Sequence, residues 1–295
     1  MIKVLLTGGL GNQLFQYAFG RTLAVKNNTN LVLSTSYLQS KLPIKKFASQ
    51  MKYELDIFDI NAEIESNLFS GKLLYPFAKA EYLLREKINE ANLQVVNETQ
   101  FSFQPELLNA TNDSFIKGNF QSEQYFKSIE NILKKELVFK TLLINENLDW
   151  KNKIENSNSV SIHIRRGDYI SIKKNAQKFA QIPISYYRNA IQYIAAKMKD
   201  PVFFIFSDDI NWVKENLRSN FTTHFIENNN TASTSHFDMQ LMSLCKHNII
   251  CNSTFSWWSA WLNTNPQKTV IAPQNWFSDV SINSQDIIPD EWIKL

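Results

Sequence analysis

Two adjacent arginines on a glycine turn are the residues in this chain best suited to binding an anion. Arg165 and Arg166 follow an apolar strand predicted over residues 160–164, and Gly167 comes directly after them. Because Gly167 is the only glycine after Gly118, it marks a turn that another side chain could not make. Such a turn would orient the two guanidinium groups, whose paired N–H donors suit phosphate or carboxylate oxygens. Taken alone, the motif also fits a strand-end turn with a structural Arg–Asp pair.

A second anion-binding pattern opens the chain, where an apolar strand runs into a glycine-rich turn and an apolar helical stretch. The pattern does not match a phosphate-binding P-loop, because that motif ends in Gly-Lys-Ser/Thr and here Gly11 is followed by Asn12 and Gln13. A nicotinamide-binding fingerprint is disfavoured, since Leu14 takes its third glycine position and no acidic residue precedes Glu54. The turn is therefore predicted to present the amides of Asn12 and Gln13, unless it is simply a tight loop.

A hydroxyl-rich turn near the carboxyl terminus is the third signal. Ser253 and Thr254 lie between a buried strand and an aromatic-rich helix. They can cap that helix, and a capped helix N-terminus is also a phosphate site. A plain cap, with Trp257, Trp258 and Trp261 in the core, explains the motif when it stands alone.

Composition excludes several classes of protein. The 295 residues suffice for about two domains, and 44% hydrophobic with 20% charged residues is ordinary for a soluble protein. Cys245 and Cys251 match neither a disulfide framework nor a zinc site, and the four histidines are scattered, so we predict no metal. A net charge of +3 with dispersed lysines argues against nucleic acid. With no export signal or membrane span, we expect a cytoplasmic protein.

Strand and helix signals alternate through the carboxyl-terminal half. Strands are predicted at residues 160–164, 202–206, 224–227, 248–251 and 269–272, and helices at residues 187–198, 212–217, 238–246 and 256–263. This alternation predicts a parallel sheet covered by helices on both faces. Ligands of such sheets bind at the carboxyl ends of the strands, where Arg165, Asp208 and Ser253 would lie.

The amino-terminal half predicts a second α/β domain with less regular detail. Strand signals occur at residues 2–7, 31–34 and 115–120, and residues 126–139 look helical. The polar stretch Asn145–Ser159 is the predicted linker. We therefore expect an amino-terminal domain over residues 1–150 and a carboxyl-terminal domain over residues 151–295, with roughly the last 20 residues packing back on the first domain.

Four segments together resemble the bacterial α-1,2-fucosyltransferases: GGLGNQLFQYAFG, HIRRGDY, FSDD and NSTFSWWSAWL, which occur in the family's order along nearly the whole chain. The resemblance implies a GT-B architecture, with two Rossmann-like domains facing across a cleft. It also implies GDP-β-L-fucose as donor, inversion at the fucose anomeric carbon, no metal or other cofactor, and transfer to the 2-hydroxyl of a terminal galactoside.

The resemblance carries roles over by position. It implies that Arg165 holds the donor diphosphate with His163 beside it. It implies that Ser253, Thr254 and Phe255 bind the phosphate and nucleotide.

Two further segments match the family's donor site. Asp238 resembles the acidic residue that accepts hydrogen bonds from guanine, although Met239 and Gln240 fit the usual pattern loosely. Gly11 and Asn12 match the loop that closes over the fucose and diphosphate.

The candidate catalytic residues are Arg165, Asn12 and Asp168. Bond breakage puts negative charge on the β-phosphate, which an arginine and a helix N-terminus can stabilise without a metal. Inversion calls for a base, yet the glycine loop contains no acid. Asp168 either acts as this general base or orients the arginine turn. Asp208 and Asp209 are expected only to shape the pocket.

Three functions from different classes follow. The leading one is fucosyl transfer, with another linkage from the same donor site as its variant. A nicotinamide oxidoreductase and a non-catalytic carbohydrate-binding module are the alternatives. For the leading function we expect an acceptor in a surface polysaccharide or lipopolysaccharide repeat, although no motif identifies it, and a lipid-linked acceptor would draw the enzyme to the inner membrane face.

Overall fold

The computed structural model describes residues 1–40, 52–69, 74–166, 180–229, 231 and 234–295. The chain divides into two compact units. Unit 1 comprises Met1–Lys140 and Gln285–Ile287, and unit 2 comprises Thr141–Ser284 and Ile288–Leu295. The division therefore follows Lys140, whereas the sequence placed it after residue 150.

Unit 1 is built on a parallel sheet in the order β3-β2-β1-β5-β4. Its strands are β1 (Ile2–Leu5), β2 (Leu31–Ser34), β3 (Glu63–Glu65), β4 (Gln94–Asn97) and β5 (Ser114–Lys117). Its helices are α1 (Leu10–Lys26), α2 (Ser36–Gln39), α3 (Tyr75–Asn92) and α4 (Glu130–Glu136). Every residue of β1 is buried, as expected for a central parallel strand whose two faces are both covered.

Helix α1 packs closely against this sheet because of Gly20. A Cβ at Gly20 would lie 2.5 Å from Cγ2 of Val4 and 2.9 Å from Cδ1 of Leu31, so a larger residue would force the helix away. On the same helix, the Phe19 ring stacks on Phe120 with centroids 4.2 Å apart. This packing fixes where the amino-terminal end of α1 lies in unit 1.

The segment Gln285–Ile287 is a short 3₁₀ helix that belongs to unit 1. Asp286 accepts a hydrogen bond from the Phe103 backbone amide at 2.9 Å and lies 3.5 Å from Nε2 of Gln124. The residues that follow, Ile288–Leu295, belong to unit 2.

Unit 2 has a parallel sheet in the order β11-β10-β9-β6-β7-β8. Its strands are β6 (Asn158–Ile164), β7 (Pro201–Ser207), β8 (Thr223–Ile226), β9 (His247–Ile249), β10 (Val270–Ala272) and β11 (Ile293–Lys294). Its helices are α5 (Glu146–Glu155), α6 (Ile184–Ala195), α7 (Ile210–Asn216), α8 (Ser235–Leu244) and α9 (Thr254–Trp261). The predicted strand and helix alternation is confirmed.

The predicted linker over Asn145–Ser159 is wrong. It forms α5 and the start of β6. The helix is polar along most of its length, but Ile154 is fully buried in a hydrophobic cluster of the core and Trp150 packs partly buried against that cluster. Two apolar anchors in a polar segment therefore suffice to dock the helix.

Candidate active site

The glycine turn of unit 1 joins β1 to α1. Gly8 has φ of +73°, a left-handed conformation that favours glycine. A Cβ there would also lie 2.4 Å from Nδ2 of Asn12. Gly8 is thus required by the backbone and by the Asn12 side chain, while Gly11 is buried in the first turn of α1.

The two amides predicted to face a ligand at this turn have different surroundings. Asn12 is partly exposed, and its Oδ1 accepts a hydrogen bond from Nε2 of Gln121 at 3.0 Å. Gln13 is fully buried, and its Nε2 donates to the carbonyls of Gly8 at 2.9 Å and Lys52 at 2.8 Å. The prediction that Gln13 is presented is wrong, because its amide satisfies buried backbone groups.

A residue that the sequence did not single out lies at the same turn. The Glu54 side chain is buried, and its Oε2 lies 3.6 Å from the position that a Cβ on Gly9 would take. Gln13 ties this residue to the turn, since its Oε1 accepts the Glu54 backbone amide at 3.0 Å. Burial raises the pKa of the Glu54 carboxyl to about 7. The sequence offered one indication of this residue, since Glu54 is the first acidic residue along the chain.

In unit 2, Asp208 holds the two arginines at the ends of two neighbouring strands, while Gly167, where the turn is predicted, lies outside the described residues. Nε of Arg165, which follows β6, lies 3.3 Å from Oδ2 of Asp208, which follows β7. The other carboxylate oxygen accepts the Arg166 backbone amide at 2.8 Å. This gives Asp208 the orienting role that the sequence left open. Asp168, the other candidate, lies outside the described residues.

The two arginines differ in their surroundings. The Arg166 guanidinium lies 3.4 Å from the centroid of the Trp212 ring, and its Nε lies 3.5 Å from Oδ2 of Asp209. Stacking of this kind holds a planar guanidinium in place. Arg166 therefore has a structural role, and Arg165 stays the better candidate for binding an anion.

His163 lies on β6 beside the turn and is buried. Its Nδ1 is 3.4 Å from Sγ of Cys251, and its ring centroid is 5.7 Å from that of Phe255. Burial is the main cause that lowers the pKa of His163 to about 4, and the charge of Arg165 lowers it further. The imidazole is therefore neutral at pH 7 and adds no positive charge for a phosphate.

Ser253 begins α9 without capping it. It occupies the N-cap position, yet its side chain forms no capping hydrogen bond. The turn is held instead by Asn252, whose Nδ2 donates to the carbonyls of Ala180 at 2.8 Å and Trp276 at 2.9 Å. The hydroxyl of Ser253 is therefore not committed to the helix, although the sequence suggested a cap there.

Asp238 lies in the first turn of α8 and is part of an asparagine network. Its Oδ1 accepts a hydrogen bond from Nδ2 of Asn229 at 2.8 Å, and Oδ1 of Asn229 accepts one from Asn147 at 3.0 Å. Burial raises the pKa of Asp238 to about 7, which the Asn229 hydrogen bond partly counteracts. Asn147 comes from α5, so the segment predicted as a linker helps to position this carboxyl.

The structure thus brings part of the predicted site together within unit 2. Because β6 lies between β9 and β7, their carboxyl ends place His163, Arg165 and Phe255 in one region. Gly11 and Asn12 belong to unit 1.

A family model described as Glycosyl transferase family 11 matches residues 1–295. The chain belongs to glycosyl transferase family 11. It is 35% identical over 318 residues to the O-antigen biosynthesis glycosyltransferase WbnK of Escherichia coli, covering 98% of this chain and 99% of that protein. It is also 34% identical to an alpha-1,2-colitosyltransferase of Escherichia coli, covering 98% and 97%.

This family 11 protein is therefore a glycosyltransferase, as the sequence predicted. A solved structure of an Arabidopsis thaliana FUT1 variant in complex with GDP matches it with a TM-score of 0.51 at 10% identity, covering 97% of this chain and 74% of that one. The likeness confirms the α/β fold of the GT-B type.

The described residues of the family 11 enzyme contain neither a metal-ligand cluster nor a membrane-spanning helix. Among the residues that the structure describes, no three His, Cys, Asp or Glu side chains group together as metal ligands. Across the same part of the chain, no helix is long and apolar enough to cross a membrane.

Proposed function

We propose that the enzyme transfers L-fucose from GDP-β-L-fucose to the 2-hydroxyl of a terminal galactoside, with inversion and without a metal. The observation that carries the proposal is the contact of Asp208 with the two arginines of unit 2. Asp208 holds both the guanidinium of Arg165 and the backbone that follows it, at the carboxyl end of β6. A preorganised cation there suits the diphosphate of a nucleotide sugar.

Arg165 would stabilise the leaving group. As the bond from the anomeric carbon to the β-phosphate breaks, its electron pair stays on the phosphate oxygen and the negative charge grows. The guanidinium and the amino-terminal end of α9 would meet this charge without reorganising, and Ser253 and Thr254 would donate hydrogen bonds to it. His163 and Phe255 would line the same side as neutral contacts.

Asp238 would select the guanine base. A carboxylate accepts hydrogen bonds from the ring N–H and the exocyclic amine of guanine, and Asn229 holds Oδ1 of Asp238 in place. These two donors would favour the charged form of Asp238, so GDP binding should lower its pKa. Gly11 and Asn12 would contact the transferred sugar.

Colitose is the alternative donor sugar. It is 3-deoxy-L-fucose, and the relative at 34% identity is named for its transfer. One hydroxyl separates the two sugars, so the arginine and guanine contacts proposed above would serve both. The other relative is named for O-antigen biosynthesis, which supports an acceptor in a surface polysaccharide. A lipid-linked acceptor of that kind would place the enzyme at the cytoplasmic face of the inner membrane.

A comparison of the two donors in separate incubations tests the proposal. Purified enzyme is incubated in EDTA with GDP-fucose or GDP-colitose and a panel of terminal galactosides, following GDP release and identifying the linkage by NMR. An α-1,2-linked fucosyl galactoside, with kcat/KM higher for GDP-fucose, supports the proposal. A preference for GDP-colitose replaces the donor but keeps the reaction, and transfer that requires added metal contradicts the mechanism.

A further inference from the structure

Helix α3 of unit 1 turns a row of apolar side chains toward solvent. Phe77, Leu84 and Ile88 are 57%, 60% and 50% exposed. Their spacing of seven and four residues places them on one face of the helix, which we call the outer face of α3. A surface helix usually directs its apolar row toward the core and its polar residues toward water. Helix α3 therefore has the reverse orientation.

The opposite side of α3 holds the helix on unit 1. Asn89 is buried there, and its Oδ1 accepts a hydrogen bond from Nζ of Lys3 at 3.1 Å. Ala78 is fully buried, and the Tyr82 ring packs edge-on against Tyr37 with centroids 5.6 Å apart. The fold thus docks α3 through polar, small and aromatic groups without burying the outer face.

The segment before α3 extends the outer face. The Phe69 ring centroid lies 5.6 Å from that of Phe77, and Leu68 is 83% exposed. The backbone amides of Leu68 and Phe69 donate to the Glu81 carboxylate at 2.9 Å and 3.1 Å, so both residues are tied to the helix. A continuous exposed apolar surface with polar residues at its border marks an interaction site.

The acidic residues of α3 are neutralised by ion pairs. The Arg85 guanidinium lies 2.7 Å from Oε1 of Glu81. Lys117, at the end of β5, lies 2.9 Å from Glu86 and 2.7 Å from Glu90. These three are the only acids in the helix sequence, so α3 has no unpaired carboxylate that would repel an anionic surface.

Two lysines of α3 are not neutralised. Lys79 and Lys87 are exposed, and neither forms an ion pair with another described residue. They lie in one row with Leu83, at a spacing of four residues, beside the outer face. The surface is therefore apolar with a positive border, which complements an anionic surface. A second copy of the same face would instead bring further unpaired lysines to the contact.

We propose that the outer face of α3 docks the enzyme on a bilayer surface that contains anionic phospholipid. Phe77, Leu84 and Ile88 would enter the boundary between headgroups and acyl chains, as for an amphipathic helix that lies parallel to the surface. Lys79 and Lys87 would contact the headgroup phosphates. The inference adds a docking surface to the proposed function and rests on that function only for the lipid-linked acceptor.

Vesicle binding of the full chain, without substrate, tests the inference. Wild type should float with vesicles of phosphatidylcholine mixed with phosphatidylglycerol more than with phosphatidylcholine alone, and high salt should weaken the difference. Replacing both lysines, by Lys79→Gln and Lys87→Gln, should weaken binding by about twentyfold, or about fivefold for each lysine. Phe77→Gln combined with Leu84→Gln should weaken binding by at least about tenfold.

Matched control variants remove the same groups elsewhere on the chain. Leu142→Gln combined with Val280→Gln replaces two exposed apolar residues, and Lys135→Gln combined with Lys199→Gln replaces two exposed lysines. Both controls should keep the wild-type affinity for vesicles. All four double variants should release GDP at the wild-type rate with a soluble galactoside, because none replaces a residue assigned to the donor. Only the two α3 variants should lose rate with a lipid-linked galactoside in vesicles.

Four outcomes would overturn the docking surface. They are no binding of wild type to anionic vesicles, equal binding to neutral and anionic vesicles, a loss shared by the control variants, and a dimer in sedimentation that Phe77→Gln with Leu84→Gln converts to a monomer. The last outcome would assign the outer face to a second copy. Wild type that binds vesicles but transfers from no donor contradicts the proposed function alone. Transfer to soluble galactosides without vesicle binding contradicts the inference alone.

Discussion

Each unit contains a buried carboxyl with a pKa raised to about 7, but the two carboxyls have different neighbours. In unit 2, Asp238 accepts a hydrogen bond from Asn229, which Asn147 holds in turn. In unit 1, Oε2 of Glu54 has no hydrogen-bond partner among the described residues and lies 3.6 Å from the position that a Cβ on Gly9 would take. Burial sets similar proton affinities, so the neighbours decide what each carboxyl can do.

The difference separates recognition from chemistry. A carboxylate that is held by a network of amide side chains keeps its remaining acceptor positions in a constant geometry. Such a carboxylate suits recognition of a nucleobase such as guanine. A buried carboxyl with a pKa near neutrality suits taking a proton.

The largest expected effect is on the pH dependence of stability. Both carboxyls bind protons more tightly in the folded state, so the stability each contributes is present below its unfolded pKa, 4.5 for Glu54 and 3.8 for Asp238, and is lost as pH rises to about 7. The free energy of unfolding of Glu54→Gln and Asp238→Asn, each relative to wild type, should thus increase between pH 4 and 8. The increase should be on the order of 3 and 4 kcal/mol respectively.

Urea unfolding of wild type and both variants at several pH values measures these differences. His163 has the opposite sign, because its lowered pKa makes wild type lose stability as pH falls from 6.5 through about 4. Taking each variant against wild type removes that contribution. A difference that stays flat with pH would show that burial does not raise the pKa of the carboxyl concerned.

Arg165→Ala should reduce kcat by about a hundredfold or more, corresponding to about 3 kcal/mol of lost transition-state stabilisation. The cause is removal of the cation that Asp208 aims at the leaving diphosphate. Arg188→Ala is the control, since this exposed arginine of α6 donates to the backbone carbonyl of Asn216. Steady-state kinetics with GDP-fucose would measure both, and equal activity of the two variants would contradict the role of Arg165.

Asp238→Asn should weaken GDP binding by about 10–100-fold, since hydrogen bonds to a charged group contribute about 1.5–3 kcal/mol. It should also reduce the preference for GDP over ADP. Calorimetric titration with both nucleotides measures this, and Glu54→Gln serves as its counterpart with unchanged GDP affinity. If Glu54→Gln weakened GDP binding as much as Asp238→Asn, the separation between the two units would not hold.

The sequence predicted unit 2 well because its signals are local. Strand β7 reads PVFFIFS and is buried almost throughout, and the arginine turn and the Ser253 turn follow their strands directly. The sequence did not predict those elements that depend on few apolar residues or on contacts between distant parts of the chain. Strand β3 reads EIE and is mostly exposed, so no apolar pattern marks it, and α5 depends on anchors such as Ile154.

The candidate site shows the same limit. Nothing in the neighbourhood of Glu54 in the sequence indicates that its carboxylate lies beside Gly9, because residues 10–53 separate them along the chain. Likewise, the sequence around Gln13 suggested a ligand-binding amide. It could not show the three hydrogen-bond partners of that amide, which lie on two separate chain segments. Residue type suggested a chemistry, but only the long-range contacts decided which polar groups the fold consumes.

The smallest expected effect on stability is that of Ser253→Ala, and it sharpens the contrast within unit 2. Removing a capping serine usually costs about 1 kcal/mol, but Ser253 makes no capping hydrogen bond, so the loss should stay below about 0.5 kcal/mol. If the hydroxyl instead donates to a donor phosphate, GDP affinity should fall by about tenfold. Chemical unfolding and GDP titration of the same variant separate the two roles. A marked loss of stability at unchanged GDP affinity would make Ser253 a structural residue and leave Arg165 and the backbone of α9 to bind the diphosphate.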